Sequence, residues 1–183
     1  MLLVVHACLA TAEPRAAFAV PRAGRSPREV ARLAALGGAI GGVGVCVAAA
    51  LSDPLLDAFD VSNPSFRIAA GVVAVLAGAS DFLRRPPSPD PSLPGRRAAL
   101  VPVALPVVAR PALLVIAIGA GADETVALTA AAMAFGVGTL ALLAARCPTD
   151  GPGGRALRWG VRLLAAVLVA AGTALGVDGV YDV

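Results

Sequence analysis

Two charged residues stand directly before prolines inside stretches that are otherwise apolar. Glu13-Pro14 interrupts the first such stretch, and Arg110-Pro111 interrupts the fourth. A charge at the middle of a bilayer costs about 2.5–3.5 kcal/mol on insertion scales unless it is paired or hydrated. A proline removes one backbone hydrogen bond and disfavours helix at the residue before it. The two sites therefore predict kinked or broken helices whose opposite charges form a Glu13–Arg110 pair near the middle of a helix bundle.

Each charge also has a simpler interpretation. Glu13 is adjacent to Arg15 and could be hydrated at the end of a short first span. Arg110 could extend its aliphatic stem towards one membrane face. Arg67 is a third charged candidate, and we expect it close to Asp57 and Asp60, as an anchor or local ion pair in preference to a substrate contact.

The composition excludes most soluble classes of protein. Hydrophobic residues make up 58% of the 183 residues, charged residues make up 15%, and the mean hydropathy is +0.82. A soluble domain has about 45–50% apolar and about 25% charged residues, so this chain has too little polar surface to be hydrated all round. The length fits one integral membrane domain, whose first partner is the lipid bilayer.

The polar inventory is poor in catalytic and ligating groups. The chain has one histidine and three cysteines, and Cys8, Cys46 and Cys147 are isolated from one another. This set predicts no metal site, no cofactor, no catalytic residue and no enzyme activity. The arginine clusters lack interleaved aromatic residues and adjoin apolar spans, so we expect no nucleic-acid partner.

Six apolar stretches are long enough to suggest membrane spans of about 20 residues. They cover residues 1–20, 34–51, 65–83, 98–120, 124–145 and 157–177. All 15 basic residues are arginine, and all but Arg67 and Arg110 lie in three segments that alternate with mainly acidic ones. Because cytoplasmic loops are enriched in Lys and Arg, this alternation places both termini outside.

The fold class that follows is all-α, a polytopic membrane protein of six helices in two halves. Residues 1–83 form the first repeat, the Pro- and Arg-rich segment 84–97 forms a cytoplasmic linker, and residues 98–183 form the second repeat. Three spans are an odd number, so the second half starts on the opposite side and any repeat is inverted. In the second span, glycines spaced four apart predict a smooth helix-packing face: Gly37, Gly38, Gly41 and Gly42.

Several segments resemble the MarC family of six-span inner-membrane proteins of bacteria and archaea. Residues 59–71 (FDVSNPSFRIAAG) are similar to the family's entry into the third span, and 101–106 (VPVALP) with 109–111 (ARP) to its fourth span. Residues 25–29 resemble the start of its first cytoplasmic loop, and Arg162-Leu163, Gly172 and 178–180 its last helix. The chain departs from the family where Glu13-Pro14-Arg15-Ala16 replaces an Asn-Pro-x-Gly motif and Arg110-Pro111-Ala112 replaces Gly-Pro-Gly.

Some members of that family are described as neutral amino-acid transporters. The resemblance implies a prokaryotic inner-membrane location and transport of a small zwitterionic solute. The carboxylate and ammonium of such a solute would suit Arg110 and Glu13, so the charges and prolines of the chain itself make Glu13, Pro14, Arg110 and Pro111 candidate substrate-binding residues, with Arg67 as a further one. The altered motifs leave a second hypothesis open, that of a non-transporting membrane scaffold whose Glu13–Arg110 pair only holds the two halves together. Substrate, direction, coupling ion and oligomeric state do not follow from the sequence.

Overall fold

The computed structural model describes residues 17–20, 22, 24–84, 111–123, 126–147 and 151–182, and within them it contains helices and no strand. A helical turn covers residues 17–19. Six further helices follow: α1 (Pro27–Ala50), α2 (Ser52–Ala58), α3 (Asn63–Leu83), α4 (Pro111–Asp123), α5 (Val126–Arg146) and α6 (Gly151–Tyr181). The prediction of an all-α fold is confirmed for this part of the chain.

Four of the described helices, α1, α3, α5 and α6, are long and apolar enough to cross a membrane. They correspond to the second, third, fifth and sixth predicted spans. Of the first and fourth predicted spans, only residues 17–20 and 111–120 are described, and α4 has 13 residues. The count of six spans therefore stays a prediction.

Local sequence signals start the two helices that enter from polar segments. At α1, the Ser26 hydroxyl accepts the N–H of Glu29 (3.3 Å), and the Glu29 carboxylate accepts the N–H of Ser26 (2.7 Å). This reciprocal capping box satisfies N–H groups that have no partner inside the helix, and Pro27 has no N–H to satisfy. α1 consequently begins at Pro27, before the predicted start near Ala34. At α3, the Ser62 hydroxyl accepts the N–H of Ser65, without a reciprocal bond from the third residue of the helix.

The chain reverses direction between α2 and α3 at a left-handed residue. Asp60 has φ +52°, and its N–H donates to Asp57 O while the N–H of Val61 donates to Leu56 O. These two bonds are those of a Schellman motif, which ends a helix and turns the chain sharply. Because α2 is so short, α1 and α3 are joined at the same end of the bundle.

The long helices form two antiparallel pairs. α1 packs against α5 and α3 packs against α6, while α4 contacts both α1 and α3. In the first pair, Gly38 lies beside Leu140 and Gly42 lies beside Met133. Residue numbers therefore rise along α1 as they fall along α5, which makes the two helices antiparallel. Buried side chains from α1, α4, α5 and α6, together with Ala74 of α3, form one core, which also includes residues 17–20.

Many large apolar side chains point away from this core. Phe135 is 73% exposed and Leu76 is 65% exposed, while the buried stripe of α3 consists mainly of Ala and Gly. Membrane helices show this distribution, because small residues allow close packing between helices and large ones face lipid tails. The exposed faces of α3 and α5 therefore suit a hydrocarbon environment.

The charged residues separate to two ends of the bundle. At the basic end, where α1 and α6 begin and α3 and α5 finish, lie nine described arginines: 22, 25, 28, 32, 84, 146, 155, 158 and 162. At the acidic end, around α2 and the last turn of α6, lie Asp53, Asp57, Asp60, Asp178 and Asp182. Glu29 and Asp81 at the basic end and Arg67 at the acidic end are the exceptions.

Candidate functional site

The central charge pair predicted from the sequence involves residues outside the described part. Glu13, Pro14 and Arg110 are not among the described residues, so the Glu13–Arg110 pair stays a prediction. Pro111 is the first residue of α4. Near the other end of α4, a side chain at Gly119 would meet the Phe66 ring at 3.7 Å, which places Gly119 beside the start of α3. Pro111 precedes Gly119 by eight residues and so lies about 12 Å farther from the acidic end.

The described part of α4 occupies the interior of the bundle. Leu113, Ile116 and Ala117 are at most 2% exposed, and the helix contacts α1 on one side and α3 on the other. A helix of 13 residues is about 20 Å long, roughly two thirds of the hydrocarbon thickness. Pro111 therefore lies within the span of the bundle.

Arg67 forms an ion pair that the sequence did not predict. Its guanidinium donates to the Asp182 carboxylate at 2.6 Å, and the Arg67 side chain is 16% exposed. The expected neighbours were Asp57 and Asp60, which are close in sequence; the carboxylate in contact is 115 residues away. The pair joins the first turn of α3 to the end of α6, so Arg67 connects two helices at the acidic end.

α3 and α6 approach so closely that their backbones touch. A Cβ atom added at Gly71 would lie 2.6 Å from Gly172 O, and one at Gly172 would lie 2.8 Å from Gly71 O. Carbon atoms in normal contact are about 3.5–4.0 Å apart, so neither position can accept a side chain without moving a helix. Glycine is required here by space rather than by backbone conformation.

The contacts on the two sides of this crossing are reciprocal. Gly78 lies against Ala165 and Val169 of α6, and Gly179 lies against Pro64 and Ile68 of α3. Equivalent residues of the two helices differ by 101 in number. The equivalent pairs are Gly78 and Gly179, Gly71 and Gly172, Pro64 and Ala165, and Ile68 and Val169. Any antiparallel helix pair has an approximate two-fold axis for its backbone. Here the sequence follows the axis too, because glycines occupy matched positions on both helices.

Asp81 is a buried acidic residue that the sequence reasoning missed. It is 6% exposed and belongs to the buried face of α3 that also carries Ala70, Ala74 and Gly78. Asp81 precedes Asp182 by 101 residues, so an aspartate stands at the matched position near the end of α3 and directly after α6. The available signal was an acidic residue inside a predicted span, which marks a functional candidate in membrane helices.

Arg22 has a structural role that its position in a basic cluster did not indicate. Its Nε and Nη2 atoms donate to Ala144 O at 3.3 and 3.1 Å, and Nη2 also donates to Cys147 O at 3.3 Å. These carbonyl groups belong to the last turn of α5, where no intrahelical donor is available. A cation is also favourable at the negative end of the helix dipole. Arg22 therefore attaches the segment after residues 17–20 to α5.

The four glycines predicted to form a packing face are all buried in α1. An added Cβ would lie 3.2 Å from Leu140 and Val137 at Gly38, and 3.4 Å from Met133 at Gly42. The face formed by Gly38 and Gly42 thus lies against α5. Gly37 and Gly41 are buried alongside them.

Two grooves among the described helices are almost entirely apolar. One groove of about 540 Å³ lies between α3 and α6, and another of about 620 Å³ lies between α1 and α5. Most of their lining is aliphatic side chains and glycines, and neither is lined by a charged residue that could bind a polar solute. Within the described ranges, no group of three or more His, Cys, Asp or Glu residues could hold a metal ion.

Comparisons of the chain with protein-family models, curated proteins and solved structures found no match. The similarity to the MarC family therefore rests on the residues quoted above and stays an interpretation of the sequence.

Proposed function

We propose that the protein is a MarC-like secondary carrier of a small zwitterionic solute, such as a neutral amino acid. It would lie in the cell membrane of a prokaryote, with both termini outside. Its two inverted halves, residues 1–83 and 98–183, would rock against each other around a central site.

The observation that carries the proposal is the reciprocal α3–α6 crossing. In an inverted repeat, equivalent spans run antiparallel, because one half is turned over relative to the other. The predicted third and sixth spans correspond to α3 and α6, and these cross in antiparallel fashion with matched glycines. The second and fifth spans correspond to α1 and α5, which also pair in antiparallel fashion. Many secondary transporters are built on this kind of symmetry.

The solute would be recognised by charge at the two proline sites. Arg110 would bind the carboxylate of an amino acid and Glu13 would bind its ammonium group, so that solute replaces their mutual pairing. Support comes from α4, which places Pro111 within the span of the bundle and next to buried side chains. The apolar grooves on the outer faces make a polar-solute site there unfavourable.

A non-transporting scaffold is the second candidate, and the same crossing favours it in a different way. Backbone contact through Gly71 and Gly172 leaves little room for sliding. The Arg67–Asp182 ion pair additionally ties the two helices at the acidic end. A protein whose purpose is rigid assembly would benefit from both features.

Counterflow in proteoliposomes tests the proposal. Purified protein is reconstituted with a high internal concentration of one neutral amino acid, and entry of the labelled amino acid is followed across a panel of solutes. We expect entry above that of protein-free liposomes for at least one member. Entry should be lost in the double variant Glu13→Gln/Arg110→Gln and retained in Asp178→Asn, which changes an exposed carboxylate at the acidic end.

The two candidates then separate clearly. A folded, monodisperse protein that moves no zwitterion of the panel would refute the carrier and favour the scaffold. If the double variant carries the same flux as the parent protein, the carrier proposal stands, but Glu13 and Arg110 do not bind the solute.

A further inference from the structure

The first turns of α6 carry a row of arginines on their outer face. Arg155, Arg158 and Arg162 are exposed, while Leu157 and Val161 between them are buried. Spacings of three and four residues place the three arginines on one side of the helix. They extend over about 10 Å along the axis. The inner face of this segment is thus held by the protein, and the outer face presents three cations.

Aromatic rings hold one of these cations in place. The Arg162 guanidinium carbon lies 5.5 Å from the centre of the Trp159 ring and 6.0 Å from that of Phe82. Contacts of this kind orient the guanidinium plane and leave its N–H groups available to an acceptor. Trp159 is itself 63% exposed, and it is the only tryptophan in the chain.

The described residues provide no acidic partner for this row. The Arg67–Asp182 ion pair lies at the acidic end, away from this row. Of the two acidic residues described at the basic end, Glu29 is engaged by Ser26 in the cap of α1, and Asp81 is buried in α3. The three positive charges therefore face outward without a carboxylate among the described neighbours.

The position of the row along α6 matches the surface of a membrane. α6 has 31 residues and is about 46 Å long, which exceeds the hydrocarbon thickness of about 30 Å. Its uncharged stretch from Leu163 to Val177 must lie in the hydrocarbon, so the preceding turns enter the headgroup layer. Exposed tryptophan is typical of that layer.

Large apolar side chains adjoin the arginines on the membrane side. Leu163 is 66% exposed on α6, and Phe82 and Leu83 are 47% and 82% exposed at the end of α3. A phospholipid satisfies both parts of this surface, because its phosphate accepts hydrogen bonds from guanidinium groups and its acyl chain covers the apolar residues. A free phosphate ion would satisfy only the first part.

We propose that the outer face of α6 at Arg155, Arg158 and Arg162 binds the headgroup of an anionic phospholipid. The lipid belongs to the leaflet at the basic end of the bundle. Basic residues next to membrane helices attract anionic lipids by about fivefold per residue near the surface. At a local site, bidentate hydrogen bonds from the arginines add to that attraction. The preference for anionic over neutral lipid then depends on these three residues and not on the total charge at the basic end of the bundle.

Trp159 serves as the reporter for the test. The full chain is reconstituted in bilayers of phosphatidylcholine and phosphatidylglycerol in which either lipid carries brominated acyl chains, which quench tryptophan fluorescence at short range. The ratio of quenching curves gives the binding constant of phosphatidylglycerol relative to phosphatidylcholine beside Trp159. We expect a ratio of at least about 5 for the parent protein. The ratio should fall at least about fivefold in Arg155→Gln/Arg158→Gln, which leaves Arg162 and the rings in place.

Controls distinguish a local site from bulk charge. Arg28→Gln/Arg32→Gln removes the same charge from exposed positions of α1 and should leave the ratio unchanged. Arg155→Lys/Arg158→Lys should retain part of it, because lysine keeps the positive charge and loses only the bidentate geometry. A parent ratio near about 1, or an equal loss in the α1 variant, would overturn the proposal. So would displacement of the lipid by inorganic phosphate at matched ionic strength, since that result identifies a free anion as the ligand.

Discussion

Replacing Gly71 by alanine should destabilise the protein by forcing α3 away from α6. The added Cβ would stand 2.6 Å from Gly172 O, 2.7 Å from Gly176 N and 2.8 Å from Gly176 Cα. These are backbone atoms, so no side-chain rotation can relieve the contact. Restoring a separation of about 3.5 Å requires the two helices to move apart by almost 1 Å. Overpacking of this kind costs about 1–3 kcal/mol.

A matched substitution separates this effect from helix propensity. Alanine is favoured over glycine in a helix by up to about 1 kcal/mol, so a Gly→Ala change in open space should be neutral or stabilising. Gly160 in α6 has nothing within 4 Å of its added Cβ and provides that control. Gly71→Ala should therefore be about 1–3 kcal/mol less stable than Gly160→Ala.

The reciprocal geometry also predicts how the variants pair. Gly71→Ala and Gly172→Ala meet backbone at similar distances and should have similar effects, and the same holds for Gly78→Ala and Gly179→Ala. Combining Gly71→Ala with Gly172→Ala should cost less than the sum of the two, because one separation of the helices relieves both contacts.

Thermal unfolding in detergent, followed by the fluorescence of Trp159, measures these differences. For a chain of this size, about 1 kcal/mol corresponds to about 2–4 °C in Tm. If Gly71→Ala unfolds at the same temperature as Gly160→Ala, α3 and α6 do not touch at these residues. Unequal effects within the matched pairs would instead refute the reciprocity and remove the main support for two inverted halves.

Three further predictions address the ends and the centre of the bundle. An impermeant thiol reagent applied to intact cells should miss Cys147 and should label a cysteine introduced by Asp57→Cys; labelling of Cys147 from outside would reverse the proposed orientation. Arg22→Gln should lower the free energy of unfolding by about 1.5–3 kcal/mol, because the last carbonyls of α5 lose a charged donor. An unchanged Tm in detergent would show that this cap is unimportant. A double-mutant cycle with Glu13→Gln and Arg110→Gln should give a double variant less destabilised than the sum of its parts, whereas additive effects would show two separately hydrated side chains.

Features with a local cause could be predicted well. The all-α class and the positions of the four long apolar helices follow from runs of apolar residues, since a membrane requires each backbone group to be bonded within its own segment. The start of α1 was predicted too late, near Ala34, although Ser26, Pro27 and Glu29 carry a capping-box signal. The last span was also predicted to start too late, at residue 157, whereas α6 begins at Gly151 and includes Pro152. Proline is acceptable in a first turn because the N–H that it lacks would have no partner there.

Features of the candidate site depended on contacts that are distant in sequence. A guanidinium such as that of Arg67 can bind any nearby carboxylate, and the sequence favoured Asp57 and Asp60 because they are close along the chain. The antiparallel packing of α3 and α6 brings Asp182 into contact with it. Arg22 was read only as one member of a basic cluster. Its bonds to Ala144 and Cys147 depend on how residues 17–22 enter the bundle.

The helical segments, and the end of the bundle at which the arginines and aspartates lie, follow from hydropathy and charge within a few residues. The contact between Gly71 of α3 and Gly172 of α6 has no such local cause. Glycines in these spans allow close approach at many places, and the register is selected by how the whole surfaces of two helices fit together. That selection involves residues 101 positions apart, and no local pattern in the chain encodes it.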